Sequence, residues 1–179
     1  MKLNSYCYLL IFVLIFLLIP SISLAEIEPE VDCSDAKAAN NLMINFETVI
    51  DKILKEGQTN EDKHKKIVSA ISQKMDAKKV WSEKEKSDFL SNIVASSEYI
   101  ELEKKKQEAL KSFNLSLESL SQLQNKNQAG HTSEGGLFCE SANKCIKDLK
   151  KVISFTDSQW VLMESKTLQE AIRLMEKIK

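Results

Sequence analysis

Residues 34–57 read SDAKAANNLMINFETVIDKILKEG. Ala39, Leu42, Met43, Phe46, Val49, Ile50, Ile53 and Leu54 recur at spacings of three and four. That period places all eight on one stripe of an α-helix and predicts that they face a core. Ser34 or Asp35 stands where an N-cap belongs, because a short polar side chain can accept from the first free backbone N–H groups. Gly57 is expected to end the helix at its C′ position, where a left-handed backbone suits glycine.

The same pattern continues outward. Thr59 or Asn60 is expected to open a second helix, with Glu61 and Asp62 in its first turn, where acids complement the helix dipole. Its apolar side is Ile67, Val68, Ala70, Ile71 and Met75. Ser82 and Glu85 form an S-x-x-E capping box before a third helix with Phe89, Leu90, Ile93 and Val94 inward. The hydrophobic phase then changes: Phe89, Ile93 and Ile100 share one side, and Leu102, Leu110, Phe113, Leu117 and Leu120 the other. One straight helix would carry two opposed stripes, so a break is predicted near Ser96 to Tyr99, with a fourth helix from about Glu98 to Gln124.

Residues 125–137 (NKNQAGHTSEGGL) hold three of the chain's four glycines. They predict an exposed, mobile loop over 125–138. A fifth helix is expected from about Ser141 to Ser154. Thr156 and Gln159 form a T-x-x-Q box that would start a sixth, lined by Trp160, Met163, Ala171, Leu174, Met175 and Ile178. No strand pattern is present. The fold class expected is all-α, a bundle of five to six mostly antiparallel helices.

At the N-terminus, MKLNSYCYLLIFVLIFLLIPSISLA (1–25) has the layout of a secretory signal peptide. Lys2 precedes an apolar run from Tyr8 to Ile19, Pro20 follows, and Ser23 and Ala25 are the small residues at −3 and −1. The run of about twelve residues is shorter than the roughly 20 that span a bilayer as a helix. Cleavage after Ala25 is therefore expected rather than retention as an anchor. Residues 26–179 are read as a single exported domain, periplasmic or extracellular, with no stable membrane span. The chain has 25 basic and 26 acidic residues, a net charge of −1. Interleaved charges of that balance argue against nucleic acid as a partner, since phosphate binding needs a concentrated positive face.

Export would remove Cys7 and leave Cys33, Cys139 and Cys145. An oxidising compartment then predicts one disulfide and one leftover thiol. If helices alternate in direction, the first and fifth start at the same end. That favours Cys33–Cys145, with Cys139 as the alternative partner of Cys33. Cys139–Cys145 is disfavoured, because six positions along a helix separate the α-carbons too far.

Catalytic signatures are sparse. Glu61 and His64 match E-x-x-H, half of a di-iron site that would need a second such pair. His131, in the glycine-rich loop, has Gln128 three residues before it and supplies none. The Glu61–His64 pair is read as helix surface. Cys139 and His131 lack a catalytic-cysteine signature, and a three-cysteine metal site lacks C-x₂-C spacing. Lys104, Lys105, Lys106, Lys147, Lys150 and Lys151 lie near Glu101, Glu103, Glu108 and Asp148, as in solvated helix pairs. Trp81 and Trp160 are read as core anchors. Asn114-Leu115-Ser116 is a glycosylation sequon.

No enzyme activity, cofactor or metal is expected. The leading expectation is a non-catalytic module that binds another protein outside the cytoplasm, such as an inhibitor, immunity or envelope-associated factor. Its contact regions would be the 125–138 loop and the phase change at Tyr99 to Leu102. The alternative is a small-molecule- or metal-binding protein, or an unfamiliar enzyme, using a cavity between helices, with His64, His131 and Glu61 as first suspects.

Overall fold

The computed structural model describes residues 30–128 and 135–177, with side chains described for 30–124 and 136–177. The expected signal peptide and residues 129–134 lie outside them. Helix α1 (Ala36–Ala77) starts on Asp35, whose carboxylate accepts from the N–H groups of Lys37 and Ala38. It then runs through Gly57 and Thr59 without a break. The predicted stop therefore fails, and so does the second start. Thr59 turns its hydroxyl back to the Lys55 carbonyl at 2.7 Å and stays inside the helix. Gly57 serves packing instead: a Cβ there would lie 3.0 Å from Ile153. The helix ends in a Schellman motif, in which Val80 N–H reaches Met75 O and Lys79 N–H reaches Asp76 O. Lys79 occupies the left-handed position at φ 51°.

Helix α2 (Glu83–Val94) opens on the expected capping box. Ser82 Oγ accepts from Glu85 N–H, and Glu85 Oε2 accepts from Ser82 N–H at 2.7 Å. The chain breaks at Ala95–Ser96, where the phase change placed it. Ser96 Oγ accepts from Tyr99 N–H and donates to Ile93 O at 2.6 Å. Helix α3 (Ser97–Gln128) and helix α4 (Gly135–Glu176) follow. Both extend into the segment expected to be a loop, taking residues 125–128 and 135–138. Helix α4 also passes through the T-x-x-Q box. Thr156 bonds back to Val152 O at 3.0 Å, and Gln159 is buried in a contact with α3. The described residues thus form four helices and no strand: an all-α architecture with fewer and longer helices than expected.

Helices α1 and α4 are each 42 residues, about 63 Å at 1.5 Å per residue. They lie parallel. Phe46 meets Phe138 edge-on near their N-termini, His64 meets Glu164 farther along, and Lys78 reaches Met175 at the far end. Helix α3 runs antiparallel to α4, with Lys106 on Gln159 and Glu98 near Lys166. Helix α4 is thus the shared partner, and the expectation of mostly antiparallel neighbours holds for only one of its two flanks. The core gathers where α1 and α4 begin and α3 ends: Ala39, Leu42, Phe46, Leu120, Phe138, Cys139, Ala142 and Cys145. Met43 and Leu54, predicted inward, sit at the edge of the α1 stripe and are exposed. No helix among the described residues is long and apolar enough to cross a membrane.

Candidate functional site

Helix α4 carries polar side chains on both packed flanks. On the α1 side, His64 is buried between two acids of α4. Its Nδ1 is 2.8 Å from Glu164 Oε2, and its Nε2 is 3.2 Å from Asp157 Oδ1. The second contact is at ion-pair distance but off hydrogen-bond alignment, so Nε2 and Asp157 Oδ1 are buried without a bonded partner. Asp157 and Glu164 stand seven positions apart, two helical turns on one face. The surface reading of the E-x-x-H pair holds for Glu61 and is corrected for His64. His64 is interior rather than surface, whereas Glu61 makes a solvated i,i+4 pair with Lys65 at 2.8 Å. Lys65 Nζ also lies 5.6 Å over the Trp160 ring, a cation–π contact.

On the α3 side, Gln159 is buried and doubly engaged. Its carbonyl accepts from Lys106 Nζ at 2.9 Å, and its amide donates to Glu103 Oε2 at 2.8 Å. Gln107, Lys106 and Gln159 all donate to Glu103 and lower its carboxyl pKa to about 2. Nearer the disulfide end, Asp148 is 3% exposed. Burial opposes its ionisation. The Ser112 hydroxyl at 2.6 Å, Lys151 at 3.0 Å and the charge of Lys144 outweigh that cost and hold its pKa below the usual range. One turn earlier, the buried Cys145 thiol is pushed up to about 11 by desolvation and by Asp148. A thiol held protonated is a poor nucleophile and a poor metal ligand.

The cysteines pair differently from the favoured expectation. Cys33 joins Cys139, with sulfurs 2.11 Å apart, and Cys145 is free and buried. The premise that both helices start at one end holds. Cys139 and Cys145 are both buried in the same core cluster, but Cys139 lies on the α4 face that meets Val31 and Cys33, and Cys145, six positions on, lies on another.

The residues suspected of chemistry are not brought together. Glu61 is paired with Lys65, His64 is enclosed by α4, Cys139 is oxidised, and His131 lies outside the described residues. Asp157 and Glu164 approach opposite nitrogens of one ring, so the three groups do not converge on a point. No cluster suited to a metal ion occurs among the described residues. Two open depressions among the described residues are each walled by one helix: Gln107, Leu110, Lys111, Asn114, Leu115 and Glu118 on α3, and Lys65, Lys66, Ser69, Ala70 and Gln73 on α1. Trp81, in the link between α1 and α2, and Trp160, on α4, are half-buried rather than core anchors. Trp81 donates to Asp76 at 2.7 Å. The reading of the sequence missed Asp157, Glu164, Gln159 and Asn143; their one signal was a polar residue on the packed flank of a helix. No protein-family model matches the chain, and no curated protein or solved structure is similar to it.

Proposed function

We propose that the protein is an exported, non-catalytic module that binds another protein outside the cytoplasm, in a role such as inhibitor, immunity or envelope-associated factor. The Cys33–Cys139 pair carries the export part of this reading, because such bonds persist in oxidising compartments. Residues 1–25, read as a signal peptide, supply the route. The binding part rests on the outward face of α3. Ile100, Leu110 and Leu115 are exposed along it, and the last two line its open depression. Leu110 and Leu115, with Gln107, Lys111, Asn114 and Glu118 between them, make a shallow mixed surface, which suits a protein partner better than a small molecule that needs an enclosing site.

The test is site-specific photocrosslinking in the producing cell. A probe at Leu115 should give one discrete adduct, lost in Leu110→Glu, and the same probe at the exposed Asp51 should give none. Equal adduct patterns at both positions would contradict the reading.

A further inference from the structure

The segment leading into α1 is held on α4 by more than its disulfide. Val31 N–H donates to Asn143 Oδ1 at 3.2 Å, and Asn143 Nδ2 donates to Val31 O at 2.8 Å. The two bonds pair one residue's main chain much as a neighbouring strand would. A reversed amide would set donor against donor and oxygen against oxygen, so the pair fixes a single amide orientation. The same Nδ2 is 3.3 Å from Cys33 Sγ and 3.9 Å from Cys139 Sγ.

The placement along α4 matters. Asn143 follows Cys139 by four positions and shares its face. Cys145 follows by six, which turns it by about 120° around the helix at 100° per residue, away from the face that Cys139 and Asn143 share, although both cysteines are buried in the same cluster. The segment around Cys33 must nevertheless find a partner 106 residues away along the chain.

We propose that Asn143 is the positioning residue that selects Cys139 over Cys145 as the partner of Cys33. By gripping the main chain of Val31, two residues before Cys33, it presents the Cys33 thiol to Cys139 before the bond exists. The oxidant is an external low-molecular-weight disulfide. One protein thiolate attacks it, forms a mixed disulfide and releases a small thiol. The second protein thiolate then attacks the protein-side sulfur and releases another. Two protein thiols are oxidised, one small disulfide is reduced to two thiols, and the protons end on them. Asn143 takes up no proton or electron.

The test uses the full chain carrying Cys7→Ser, so that three thiols compete, oxidised in a glutathione buffer, trapped by alkylation and mapped by peptide mass spectrometry. The parent should form Cys33–Cys139 with Cys145 free. Asn143→Ala should lower the equilibrium constant for that bond about tenfold, the loss expected for about one net hydrogen bond. Cys33–Cys145 or glutathione adducts should take its place. Asn143→Asp, which keeps an acceptor for Val31 N–H but no donor, should fall between. Hydrogen exchange in a Cys7→Ser/Cys33→Ser/Cys139→Ser chain reads the grip without the bond. The Val31 amide should be protected there and lose protection on Asn143→Ala, with helical circular dichroism unchanged. The proposal is overturned by an unchanged equilibrium constant in Asn143→Ala, or by a freely exchanging Val31 amide in the serine chain. If Asn143→Ala does not fold, the serine chain decides: protection sustains the proposal and free exchange overturns it.

Discussion

Gly57 and Ile153 meet where α1 and α4 pack, so closely that a methyl group on residue 57 would require Ile153 to give by a few tenths of an ångström. A Cβ at 57 would lie 3.0 Å from both Cδ1 and Cγ2 of Ile153. Alanine is better than glycine in a helix interior by about 1 kcal/mol. Here close contact with Ile153, whose branch at Cβ restricts its rotamers, opposes that gain. Gly57→Ala should therefore destabilise the protein in chemical denaturation. In an Ile153→Ala background the same change should stabilise by up to about 1 kcal/mol. Additive effects in the double-mutant cycle would show that the two residues do not meet.

Lys79 holds a left-handed backbone that a side chain disfavours by roughly 1 kcal/mol. Lys79→Gly should raise the unfolding free energy by about that amount, read from the urea midpoint at constant slope. A loss of stability would mean that the Schellman turn after α1 is not formed.

His64 stands between Glu164 and Asp157, so its removal leaves two acids at a packed interface without their shared partner. His64→Ala should cost about 1–3 kcal/mol, the penalty for leaving the half-enclosed Glu164 carboxylate without its hydrogen-bond partner. Replacing His64, Asp157 and Glu164 together by leucine should recover most of it, since an apolar layer of similar volume avoids the desolvation of charge. A triple variant as unstable as His64→Ala would assign the loss to shape rather than to unpaired charge.

Glu103 gives a pH dependence with a defined sign. Hydrogen bonds from Gln107, Lys106 and Gln159 lower its carboxyl from 4.5 to about 2. A depressed folded-state value adds stability above the unfolded value, and that addition is lost as pH falls from about 4.5 toward 2. The carboxylate is 37% exposed, so water screens much of the effect. Glu103→Gln should flatten the stability profile between pH 5 and 2 and have its largest effect near neutrality. An unchanged acid limb would remove Glu103 from the network.

What could be read from the sequence was local. The stripe from Ala39 to Ile53, the Asp35 cap, the Ser82–Glu85 box and the break at Ser96 depend on neighbours within a turn or two, and each is where the pattern put it. Gly57 misled because its signal as a helix end is also local, whereas its use is set by Ile153, far along the chain. Thr156 and Gln159 misled for the same reason: Lys106 and Glu103 on α3 give Gln159 a buried role inside α4 that no capping pattern encodes. His64 read as surface because its acids lie 93 and 100 positions away. The choice of Cys139 over Cys145 turned on which face of α4 meets Val31.

The Cys33–Cys139 bond joins these strands of the account, because it needs the shared end of α1 and α4 and would persist in the oxidising compartment that the proposed export supplies. The most direct measurement is a non-reducing peptide map of the protein isolated from its producing cell, with free thiols alkylated first. The account predicts a linked Cys33–Cys139 peptide and an alkylated Cys145. A Cys33–Cys145 peptide, or three alkylated cysteines, would contradict it.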